Sequence, residues 1–158
     1  MTNDNSSFSA SSVTQLKLEW LQLLEALKVG SNLGEKVFAD LTRAYSNPMR
    51  HYHNLDHLQY LLNSLAEVKD QIHSFPALQL CTWFHDYIYE PQALDNEVQS
   101  AVYAERVLSK LGVEFDTVRL VQQIIMSTRK HEPLLKRLII CTFWMLIWLF
   151  WEHLPINI

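Results

Sequence analysis

The spacing of the large apolar residues constrains this chain more than any other feature. Leu16, Trp20, Leu23, Leu24 and Leu27 recur at i, i+4, i+7, i+8 and i+11, which lines one face of a helix. Gly30 is the expected stop for that helix. The pattern then repeats in separate stretches. Val37, Phe38 and Leu41 belong to a helix over 33–45, which stops before "SNPMR". Leu58, Leu61, Leu62, Leu65 and Val68 follow "HNLDH", where Asn54 or Asp56 can cap. A fourth helix starts near Ser74 with Pro76 in its first turn, buries Leu78, Leu80, Cys81 and Phe84, and ends before Pro91. Val98, Ala101, Val102, Ala104, Val107, Leu108 and Leu111 form a broad apolar face closed by Gly112, and "FDTVRLVQQIIMSTRKH" makes a sixth helix. No internal repeat and no alternating strand pattern interrupts the series. The expected fold is all-α: one compact bundle of about six or seven helices.

Composition narrows the function classes. A chain of 158 residues supports one ordinary domain with a proper core. Net charge is −4 and the lysines and arginines are scattered, so a nucleic-acid partner is not expected. Cys81 and Cys141 lie far apart without a CxxC, which points to reduced thiols and a cytoplasmic protein. The start, "MTNDNSSFSASS", has neither a basic head nor an apolar run and reads as a disordered lead-in over 1–12, before a helical domain over 13–136.

Polar, metal-capable groups occupy positions where the pattern wants core. In "RHYHNLDH", His57 lies four and eight residues before Leu61 and Leu65, so it leans toward the buried side of its helix. In "CTWFHDYIYE", His85 follows Cys81 by four residues, and Asp86 sits about 100° round the same helix. A buried carboxylate beside an imidazole is costly unless a positive group compensates, and a divalent cation would do so. In "STRKH", Ser127, Thr128 and His131 can face the same cavity. Asp95, Asn96 and Glu97 read equally well as a helix N-terminus, where acidic side chains meet free amides. His51 and His73 read as exposed helix-end residues.

Taken together, "RHYHNLDH", "FHDYIYEPQALDNEVQSA" and "STRKH" resemble the HD-domain superfamily of metal-dependent phosphohydrolases, in particular its small bacterial branch, over about residues 14 to 136. The resemblance implies that His57, His85 and Asp86 are metal ligands. It implies a divalent ion such as Mn²⁺, Mg²⁺, Fe²⁺, Co²⁺ or Zn²⁺, among which imidazole plus carboxylate does not select. That ion would acidify a water and polarise a phosphoryl oxygen of a small phosphorylated substrate, with nucleotides suggested by analogy alone. Arg50 and His53 are then placed to hold the substrate phosphate. Glu90 becomes a proton donor or water-orienting base, and His131 a substrate or second-metal contact. The plain alternatives are a surface ion pair for Arg50 and a solvated helix end for Glu90.

The superfamily's last aspartate is missing. In this branch it stands in a string like Leu-Asp-Ala-Asp-Leu, whereas no aspartate follows Lys136 here. The tail over 137–158 runs instead through "CTFWMLIWLFWEHLP". Trp and Met have single codons, so a shifted frame across Phe143-Trp144-Met145 forces Leu then Asp, and across Phe150-Trp151-Glu152 it forces Leu then Gly, consistent with the family's string. A one-base frame change near Lys136 or Arg137 is therefore the favoured explanation of the tail. A buried core helix comes second. A membrane anchor comes last, because the uncharged run of 14 residues from Leu138 to Trp151 falls short of the roughly 20 that span a bilayer. Loss of that aspartate leads us to expect poor turnover.

Overall fold

The structure, a computed structural model, describes residues 10–129. His131 and the apolar tail lie outside the described residues, as does the lead-in before Ala10. Six α-helices and one short 3₁₀ turn make up the described chain: α1 (Ala10–Ala26), α2 (Ser31–Tyr45), α3 (Leu55–Glu67), the 3₁₀ turn (Lys69–Gln71), α4 (Phe75–Phe84), α5 (Asn96–Leu111) and α6 (Phe115–Thr128). No strand occurs among the described residues, and the all-α bundle stands. No described helix is long and apolar enough to cross a membrane.

The bundle is organised around α4. Its residues Ala77, Leu78, Leu80, Cys81, Thr82, Trp83 and Phe84 are all buried, so the helix is enclosed on every side and not only along a stripe. Helices α1, α3, α5 and α6 all pack against it. Trp83 lies edge-on to Trp20 of α1 at 5.3 Å between centroids and to Phe38 of α2 at 6.0 Å. This aromatic core fixes the end of α4, and the polar residues of interest begin at the next position.

The helix ends refine the sequence expectations. Helix α1 starts earlier than Val13 and stops at Ala26, ahead of Gly30. Lys28 takes the left-handed conformation, φ 56°, while its N–H bonds Glu25 O and the Val29 N–H bonds Leu24 O. That pair of bonds is a Schellman stop built without glycine. Gly30 is in extended backbone at the start of α2. Gly112 behaves as expected: its φ is 85°, and the Val113 N–H reaches back to Leu108 O. On α5 the apolar stripe is narrower than the spacing suggests, because Val102 is 57 % exposed.

Candidate metal centre

Two short segments bring the polar residues together. The first is the loop leading into α3. Asn54 is the N-cap, and its side-chain oxygen accepts the His57 N–H at 3.1 Å. This cap sets where the first turn begins, and His57 in that turn is 2 % exposed. The second segment is the end of α4. His85 keeps helical angles, with its N–H on Cys81 O at 2.8 Å. The chain then turns, with the Tyr87 N–H on Phe84 O. Asp86 thus stands on the turn after the helix, not within it as the spacing implied.

Three histidine side chains converge on one carboxylate oxygen. Asp86 Oδ2 lies 2.6 Å from His53 Nδ1, 3.0 Å from His85 Nε2 and 3.7 Å from His57 Nε2. The two Nε2 atoms of His57 and His85 are 3.4 Å apart. His53, His57 and Asp86 each offer a ligand atom within 4.8 Å of the others, so this group could hold a metal ion. His85 joins it on the distances above.

The hydrogen bonds fix which nitrogen faces the cluster. His85 Nδ1 is 2.9 Å from Thr82 O, an acceptor, so Nδ1 carries a proton and Nε2 points at Asp86 and His57. A carboxylate only accepts, so the short His53 contact is an Nδ1–H donated to Asp86. Burial pushes His85 down, but the Asp86 carboxylate and the bonds to Asp86 and Thr82 raise it above its ordinary value. Burial also drives His57 down, helped by the positive His85, to about 3. Burial alone would raise Asp86, yet the His85 charge and the bonds from His53 and His85 hold it well below the usual carboxylate range. The cluster therefore pairs a neutral His57 with an ionised Asp86.

Arg50 enters the site from behind. It is 8 % exposed. Its Nη1 donates to Asp86 O at 2.6 Å and to His53 O at 3.3 Å, and its Nη2 to Tyr87 O at 2.7 Å. The guanidinium lies over the rings of Tyr45 and Tyr89 at 5.1 and 5.5 Å. The surface ion pair considered for Arg50 is not what is found, and its expected phosphate contact meets a side chain already bonded to three carbonyls.

The remaining candidates stand elsewhere. Glu90 is exposed, with its backbone N–H and C=O both bonded to the Asn96 side chain at 3.0 and 2.8 Å. Asn96 thereby closes the loop after Asp86, and Asp95 stands at the N-cap position of α5, its Oδ2 accepting from the Gln99 side chain and not from a backbone amide. Of the two readings of "LDNE", the helix start describes the contacts. Ser127 and Thr128 turn their hydroxyls back onto Ile124 O and Ile125 O of their own helix. His51 and His73 are exposed. His131 lies outside the described residues.

The sequence reading missed Thr82, Tyr45 and Tyr89 as supports of the site, and the place of His53 on Asp86. Thr82 had a signal, since a carbonyl three residues before a helix-end histidine lies within reach of its Nδ1. His53 had one too, the His-x-x-x-His spacing with His57. Tyr45 and Tyr89 had none. No family model, curated protein or solved structure matches the chain.

Proposed function

We propose that this chain is a divalent-metal protein of the HD type, built on a phosphohydrolase site that holds one ion through His57, His85 and Asp86. The observation that carries this reading is the triangle of His57 Nε2, His85 Nε2 and Asp86 Oδ2, with sides of 3.0, 3.4 and 3.7 Å. Donors about 2.1 Å from one ion, at roughly 90–110° to each other, stand roughly 3.0–3.4 Å apart. Two sides match this spacing, and the third needs only a small closing movement. His53, at 2.6 Å from the carboxylate, is too close to Asp86 to sit comfortably beside it as a further ligand. It fits better as the donor that orients Asp86.

Such an ion supplies Lewis-acid polarisation of a phosphoryl oxygen and activation of a water, the chemistry of phosphate-ester hydrolysis. The residues of the chain divide the remaining work. Thr82 O holds the His85 tautomer, His53 holds Asp86, and the Asn54 cap holds His57. The support for the phosphohydrolase class is the likeness of the three motifs to the HD superfamily. Turnover is impaired, because no aspartate follows Lys136 to complete the ligand set. The setting is a reducing cytoplasm, consistent with the buried free thiol of Cys81.

A second reading is favoured by the same absence: an HD fold that binds metal or a phosphorylated ligand without turnover. One experiment separates the two. Metal content and hydrolysis of p-nitrophenyl phosphate are measured for the wild-type chain and for His85→Ala. The proposal expects weak hydrolysis that depends on Mn²⁺. In the variant, metal affinity should fall by more than the roughly 100-fold that losing an outer contact can cost. Metal uptake without hydrolysis establishes the binding protein. A variant that matches wild type in both respects removes the metal site.

A further inference from the structure

We infer that Arg50 is a positioning residue, a clamp that joins the two backbone segments carrying the metal-site side chains and so sets the geometry in which a divalent ion is held. The inference rests on the metal reading above and adds a residue that acts through others.

The two segments are far apart in sequence. One is the loop before α3, with His53; the other is the turn after α4, with Asp86. Arg50 Nη1 bridges them, donating to His53 O at 3.3 Å and to Asp86 O at 2.6 Å, and Nη2 adds Tyr87 O at 2.7 Å. The side chains of those same residues, His53 and Asp86, meet at 2.6 Å. Backbone clamp and side-chain contact therefore fix the same pair from two sides. A planar guanidinium presents its donors at set angles, which an ammonium cannot reproduce on carbonyls that must stay in register.

The surroundings fit a fixed part better than a hand reaching for substrate. The guanidinium lies over Tyr45 and Tyr89. Tyr45 is fully buried. Tyr89 in turn lies against the His53 ring, 4.5 Å between centroids. No carboxylate side chain pairs with Arg50 among the ion pairs of the described residues. Its nearest acceptors are the carbonyls of the segments it joins.

The sign of the effect on metal binding distinguishes a clamp from a charged bystander. A positive group beside a cation site disfavours the cation, so a bystander's removal should tighten binding. Removal of a clamp should weaken it.

The test uses metal-stripped full-length chain titrated with Mn²⁺ in a calorimeter: wild type, Arg50→Lys, Arg50→Met, and Leu16→Ala as a core control. Circular dichroism confirms that each is folded. Both Arg50 variants are expected to bind Mn²⁺ about 10- to 100-fold more weakly, the range for lost outer-shell partners. Leu16→Ala should be less stable yet bind as wild type does. Should Arg50→Met not fold, Arg50→Lys carries the comparison with the charge retained. Mn²⁺ affinity that is unchanged or tighter in the folded Arg50 variants overturns the clamp, and so does an equal loss in Leu16→Ala. A wild-type chain that takes up no Mn²⁺ overturns the metal reading itself, before any variant is compared.

Discussion

His57 and His85 face each other with opposite net shifts, because burial lowers both while the Asp86 carboxylate and the bonds to Asp86 and Thr82 raise His85, and this gives the metal-stripped protein a two-sided pH dependence. His57 is depressed from 6.5 to about 3. Between those values the unfolded chain binds the proton that the native state refuses, so this contribution to stability is full above about 6.5 and is lost as pH falls. His85 is raised, so its contribution is full below about 6.5 and is lost as pH rises through its raised value. We predict that His57→Gln flattens the loss of stability between about pH 6.5 and 4, and that His85→Gln flattens the loss on the alkaline side. Thermal melts across pH check both, and parallel curves for the two variants would contradict the assignment. At this scale much of the site was legible. His57, His85 and Asp86 stood out because titratable groups occupied core spacing. The tasks of Arg50 and His53 did not, since both depend on a loop folding against the end of α4, a long-range contact that no local pattern encodes.

Among the elements, the helix stops offer a clean comparison. Gly112 and Lys28 occupy the same left-handed position in the same pair of reverse bonds, yet only glycine takes that conformation without cost. Lys28→Gly should raise stability by about 1 kcal/mol, and Gly112→Ala should lower it by about 1–2 kcal/mol. Denaturant midpoints read both, and equal or reversed shifts would show that neighbouring packing outweighs the backbone. The stop after α1 was misplaced from sequence because glycine is the commoner signal, whereas Lys28 owes its conformation to the Val29–Leu24 bond. The cap at Asn54 and the stop at Gly112 were legible because their residue types carry the mechanism. On α4 the spacing suggested one apolar face, but four other helices cover the element, and burial on every side was not visible from periodicity alone.

Taken as a whole, the molecule is an aromatic-centred bundle that ends its most buried helix in a charged cluster. Trp20, Trp83 and Phe84 pack beneath, Phe84 is fully buried, and the next two residues carry an imidazole and a carboxylate. Such a rigid base suits a site whose donor atoms must hold their spacing. The all-α class and the six α-helices of the described residues were readable from sequence, since each amphipathic stretch is bounded by its own cap or stop. Which helix lies at the centre was not. The central claim is that this base holds His57, His85 and Asp86 as a preformed divalent site. The most direct measurement is a titration of Co²⁺ into the metal-stripped chain, followed by its visible ligand-field absorption. We predict saturation near one ion per chain, and loss of the band in His57→Gln and in Asp86→Asn. No band in the wild type, or an undiminished band in both variants, would contradict it.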